Sequence, residues 1–238
     1  VGITLYDFQI NNLRKITNCW IDGWQIDEER LVELYDEIEF YRSRFNNVIN
    51  YEELIESEEW DGFEFKNGFV EQNVWAISNG APEIVQMFRG NVNGEKLIDG
   101  VLEMLELANS IEGDIDRILV PALEALKYMP NKVSIATEIL HKSIPDKYPI
   151  KNYKSNWGLA FILEPKDLVI YTRKLSYIAF RNYIDNLYIE LLKIFEEYDL
   201  YIEEYYKYWI IDRIFWYMVD EKYSEIIKIY NSRYKEYY

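Results

Sequence analysis

The sequence predicts an all-α, multi-helix globular fold, and three observations carry that prediction. Apolar residues recur at intervals of three and four through most of the chain, the signature of helices with one buried face. Strand signals are few: Phe63–Phe69, with Lys66-Asn67-Gly68 inside it, is the best candidate for a short hairpin. No stretch reaches about 18 uninterrupted apolar residues, so the periodic segments read as helices packed on one another and no membrane partner is expected.

Taken in order, Asp22 or Asp27 can open a helix whose inward face is Leu31, Leu34, Tyr35, Ile38 and Tyr41. Glu28 and Glu29 fall in its first turn, where the positive end of the helix dipole favours carboxylates. A helix is expected over Tyr51–Trp60, ended by Asp61-Gly62. Further helices are expected over Val70–Ser78, Pro82–Arg89 and Glu95–Asn109. Pro82 is suited to a first helical position, where its missing N–H costs nothing. Ile111–Tyr128 is interrupted by Pro121, which either kinks one helix or starts a second. Lys132–Lys142 and Ser155–Leu163 follow, separated by a turn holding Pro145 and Pro149. From Asp167 onward the pattern is long, helical and aromatic, with 15 of the 22 tyrosines after residue 163. These tyrosines are expected to line helix–helix contacts with their hydroxyls reaching outward. Residues 1–163 would form a helical domain containing the proline turn and 164–238 an aromatic-rich bundle, either separate or continuous.

Composition narrows the function classes. The single cysteine, Cys19, cannot form an internal disulfide and fits a reducing, cytoplasmic setting. No cationic stretch, apolar run and small-residue cleavage site mark Val1–Lys15 as a secretory leader. Abundant Ile, Tyr, Glu and Lys are compatible with a thermophilic source. The net charge of −16 is uneven. Residues 1–110 hold 22 acidic and 8 basic residues, whereas 111–163 hold 6 and 7. Acidic surface promotes solubility and repels polyanions at long range. It also suits a basic protein partner meeting residues 1–110, or mimicry of nucleic acid.

The usual catalytic signatures are missing. There is no glycine-rich phosphate loop, nucleophile elbow or His-Glu-x-x-His pair. One Cys and one His cannot supply an ordinary zinc ligand set. No cofactor or metal is implied, and no catalytic residue is assigned.

Residues 127–157 stand apart. Lys127, Lys132, Lys142, Lys147, Lys151 and Lys154 face only Glu138 and Asp146, a local excess of positive charge suited to phosphate. The run Ser134-Ile135-Ala136-Thr137-Glu138-Ile139-Leu140-His141, followed by Pro145-Asp146-Lys147-Tyr148-Pro149-Ile150-Lys151-Asn152, resembles a segment found in two groups. One is the helical accessory region ahead of the motor in McrB-type restriction ATPases and related defence proteins. The other is a helical set related to 8-oxoguanine DNA glycosylases, in which an Asp stands where this chain has Asn152. The first resemblance implies a non-enzymatic module of a prokaryotic defence or repair system. Such a module would touch DNA or RNA through Lys142, Lys147, Lys151, Asn152, Tyr153, Lys154 and Trp157. Lys147, Lys151 and Lys154 would meet phosphate, and Tyr153 or Trp157 would stack on a base. The second resemblance implies a glycosylase-like enzyme depending on Lys142 or Lys132.

Overall fold

A computed structural model describes residues 4–49, 61–110, 115–163 and 168–221. Among them every regular element is helical, as the periodicity predicts. The first helix, α1 (Asp7–Trp24), goes beyond the elements read from the sequence. Its buried side chains Leu13, Ile16, Thr17, Trp20 and Ile21 nevertheless keep helical spacing. Gln25 ends it in the left-handed region at φ 52°, and the Ile26 N–H returns to the Ile21 carbonyl, the Schellman geometry of a helix stop. The Asp27 carboxylate then accepts the Arg30 N–H and opens α2 (Glu28–Ile49). Leu31, Leu34, Tyr35 and Ile38 point inward, as expected.

The expected hairpin over 63–69 is a π-helical segment, Glu64–Val70, running directly into Glu71–Asn73. Phe65, Phe69 and Val70 share a buried face at helical spacing, which a hairpin would split between two sides. Lys66 sits within that wound segment because its ammonium donates to the Arg89 and Val92 carbonyls at 2.9 and 3.0 Å. Val74 is extended and breaks the expected 70–78 helix, so α3 (Trp75–Ser78) starts afresh. The helix expected over Tyr51–Trp60 lies outside the described residues.

Next come α4 (Pro82–Asn91), α5 (Gly94–Ser110), α6 (Ile115–Ile118) and α7 (Val120–Ala125). Pro121 thus sits in the first turn of a second helix instead of kinking one long one. The chain continues through α8 (Lys132–Ser143), α9 (Tyr153–Leu163), α10 (Leu168–Lys174), α11 (Tyr177–Glu196) and α12 (Lys207–Glu221).

Two helices are buried on nearly all sides. α8 packs against α2, α3, α5 and α7, and α9 against α1, α10 and α12. Buried side chains before residue 164 and after it form one continuous core, so the division considered near 164 does not separate two cores. The α9–α12 crossing depends on Gly158, where an added Cβ would overlap the Phe215 ring. Gly158→Ala should therefore force the helices apart and destabilise by about 1–3 kcal/mol. Urea unfolding measures this, and an unchanged midpoint would mean the crossing tolerates the extra methyl.

Candidate ligand cleft

The turn between α8 and α9 is built into the core. The Tyr148 hydroxyl donates to the Ala108 carbonyl at 2.9 Å, and the Tyr177 hydroxyl to the Pro149 carbonyl at 2.6 Å. His141 Nδ1–H donates to the Tyr148 carbonyl at 2.7 Å, and the Thr137 hydroxyl accepts the Lys151 N–H at 3.0 Å. Burial holds the imidazole neutral, with its pKa lowered to about 3.

That construction changes what the expected site residues can do. Lys142 is fully buried. Its ammonium donates to the Asn73 carbonyl and to Glu138 Oε1, each at 2.7 Å, and lies 4.0 Å from the centres of the Tyr41 and Trp75 rings. With no exposed surface it does not present its charge to phosphate as the sequence suggests. Lys151 is also buried and donates to the Arg173 and Leu175 carbonyls, at 3.3 and 2.5 Å. It ties down the end of α10 and is equally unable to meet phosphate. The desolvation of both ammonium groups pushes their pKa values down; in Lys142 the Glu138 carboxylate opposes that shift. Lys147 is exposed but is not part of the cleft described below.

The other expected residues come together. Asn152 and Ser155 cap α9 reciprocally: Asn152 Oδ1 accepts the Ser155 N–H at 2.9 Å, and Ser155 Oγ accepts the Asn152 N–H at 2.8 Å. Tyr153 projects from the helix start and is 48% exposed. It meets Trp157 edge-to-face at 6.3 Å between ring centres, and the Arg173 guanidinium lies 5.9 Å from its ring centre. Lys154 pairs with Asp220 at 2.5 Å and sits 4.0 Å from the Trp216 ring centre.

Asn152, Tyr153 and Lys154 form one rim of a cleft of about 600 Å³. Its other walls come from distant parts of the chain: Trp75 and Ala76 of α3, Asn131 and Glu138 at α8, and Asp212, Arg213 and Trp216 of α12. Glu138 organises the α3 side. Its two carboxylate oxygens accept the Trp75 and Ala76 N–H groups, at 2.6 and 2.9 Å, so a side chain of α8 caps α3. The Trp75 indole N–H donates to the Tyr41 hydroxyl at 3.1 Å. On the α12 side Arg213 pairs with Asp212 at 3.0 Å, and its guanidinium lies 4.2 Å from the Trp209 ring centre and 4.6 Å from that of Trp75. Burial raises the Asp212 carboxyl pKa, and the adjacent guanidinium opposes that rise.

Two ion pairs, Glu138–Lys142 and Asp212–Arg213, are therefore buried at this cleft. Removing four charges from water is expensive, and apolar residues of similar volume are often as stable. Both pairs lie beside the half-buried Trp75 and Trp216. The two other concavities described, of about 550 and 430 Å³, have ordinary linings. The first is framed by surface charges of α5 and α7. In the second the buried Lys66 ammonium is already bound to carbonyls. No cluster of three or more His, Cys, Asp or Glu side chains suited to a metal occurs among the described residues. No described helix is long and apolar enough to cross a membrane.

Sequence reasoning missed Trp75, Asn131, Asp212, Arg213 and Trp216 as parts of one site. The available signal was the Asp212-Arg213 pair inside the apolar run Tyr208–Val219, where two adjacent charges must be compensated. No known protein family, curated protein or solved structure matches this chain.

Proposed function

We propose that this chain is a non-enzymatic helical recognition module that binds single-stranded nucleic acid, admitting one base to the cleft beside Trp75 and Trp216. The observation that carries this reading is the pairing of that aromatic, hydrogen-bonding cleft with a basic, aromatic rim. Tyr153, Arg173 and Lys174 are exposed at or near the start of α9, in a chain whose net charge is −16. Stacked aromatic rings and flanking cations are the means by which single strands are held with little dependence on sequence. Arg173 and Lys174 take over the phosphate role expected of Lys142 and Lys151, while Lys154 is engaged by Asp220 at the rim. The resemblance of residues 134–152 to the accessory region of McrB-type proteins supports a place in a prokaryotic defence or repair system.

Binding of labelled single strands across a salt series tests this. Affinity should fall linearly in log salt, and Arg173→Glu with Lys174→Glu should reduce the slope by about 1–2. Tyr153→Ala should weaken binding roughly tenfold at fixed salt by removing one stacking face. No binding at low salt would remove the proposal.

A second reading has its own observation. Glu28, Glu29, Glu33 and Asp36 are all exposed on α2, alongside the exposed apolar side chains Val32 and Phe40. Such a face suits a basic protein partner. Salt-sensitive capture that is lost on charge reversal along α2, with nucleic acid ignored, would favour this reading over the first.

A further inference from the structure

One cation at the cleft rim is already bound, and its partner comes from outside the cleft. Of the two cationic side chains in the lining, Arg213 is 7% exposed and fixed against Asp212, whereas Lys154 is 26% exposed. Lys154 projects from the first turn of α9 and reaches across to α12, where its ammonium meets Asp220 Oδ2 at 2.5 Å. The same ammonium lies over the Trp216 ring, 4.0 Å from its centre. Asp220 stands one turn beyond Trp216 on α12, so the carboxylate and the indole share a side of that helix. The Asp220 side chain is 35% exposed and does not line the cleft.

An ammonium at that distance is in contact with the π-face that a base stacked on the same ring would use. Lys154 and a base therefore compete for Trp216, and Asp220 holds Lys154 in place. We infer that Lys154 and Asp220 form an autoinhibitory strap across Trp216, opened when a phosphate of the bound strand takes Lys154 from Asp220. The inference rests on the single-strand reading above and adds to it the residue against which the strand's phosphate must compete. In the exchange one charge-assisted contact replaces another, and the ammonium leaves the indole as it changes partner. The exchange costs little, because an ion pair as accessible as this one favours the closed form by a factor of about five or less. The buried pairs Glu138–Lys142 and Asp212–Arg213 have no such access and stay closed.

The test measures binding of one labelled thymine strand, at one low salt concentration, to the whole chain and to its Asp220→Asn, Lys154→Met and double variants. Both positions lie at the surface, and thermal melting confirms that each variant folds. Asp220→Asn should tighten binding about three- to fivefold by freeing Lys154. In the Lys154→Met background the same replacement should change affinity by about twofold or less, since only screened repulsion between Asp220 and the strand remains. That difference, taken as a double-mutant cycle, separates the strap from a general effect of charge. Unchanged affinity on Asp220→Asn, or an equal gain with and without Lys154, would overturn the strap and leave the single-strand reading standing. No binding by any of the four proteins would overturn both.

Discussion

Glu138→Ala is expected to cost about 3–5 kcal/mol of stability, since it strips a buried ion pair of one partner. For a chain of this size that lowers the melting temperature by on the order of 10 °C. The loss has two parts. Lys142, fully buried and held between the Tyr41 and Trp75 rings, keeps its charge without a counterion, or gives up its proton. The Trp75 and Ala76 N–H groups also lose their acceptor, and the first turn of α3 is left uncapped. Pairing Glu138→Gln with Lys142→Met separates these parts. The charges vanish together and the Gln oxygen can still accept one N–H, so the double variant should recover most of the loss. Thermal and urea unfolding of both variants supplies the comparison. A double variant as unstable as Glu138→Ala would show that the capping bonds, and not the uncompensated charge, dominate.

Acidification is expected to destabilise the fold between about pH 6.5 and pH 3, with His141 as the main source. The folded imidazole stays neutral down to about pH 3, because burial and the nearby Lys142 and Arg213 charges oppose a second positive charge. In the unfolded chain it takes up a proton near its ordinary value of 6.5. The unfolded state therefore binds one more proton throughout that window, and stability falls with decreasing pH by about 1.4 kcal/mol per pH unit from this group. Asp212 acts in the opposite sense. Its raised folded pKa means the native state binds the proton more readily, which offsets part of the loss at the acid end. His141→Gln should flatten the pH dependence of the urea midpoint above about pH 4. A slope unchanged by that replacement would place the sensitivity in the carboxylates.

Much of the architecture was legible because helical burial leaves a periodic trace. Leu31, Leu34, Tyr35 and Ile38 are inside where their spacing puts them, and the α8–α9 turn contains the two prolines that mark it. α1 carries the same trace in Leu13, Ile16 and Trp20, diluted by the intervening Asn11, Asn12 and Asn18. The hairpin reading failed because Lys66-Asn67-Gly68 looks like a turn only while Lys66 is assumed to face water. The same assumption misjudged Lys142 and Lys151. A lysine in a sequence is read as solvated, whereas carbonyls and carboxylates supplied from elsewhere can bury it. Glu138, four residues before Lys142 on one helix, was a local hint of such pairing. The Asn73 carbonyl and the Trp75 ring, brought in from far along the chain, left no mark near residue 142. The cleft was half visible for the same reason: Asn152, Tyr153 and Lys154 lie in the segment the sequence picks out, but Trp75 and Arg213 join it only through folding.

The crowding of indoles around this cleft has an optical consequence. Trp75 lies 5.6 Å from Trp209, and Trp24 lies 5.8 Å from Trp216, with ring planes inclined at 37° and 57°. Transition dipoles that close and that skewed exchange excitation, so each pair should give a coupled band in near-ultraviolet circular dichroism. Trp75 and Trp216 line the cleft, whereas Trp209 beneath them is fully buried and Trp24 stands behind the Trp216 wall. A changed distance or tilt within either pair would alter its band. Near-ultraviolet dichroism should therefore register a displacement of either wall without a label.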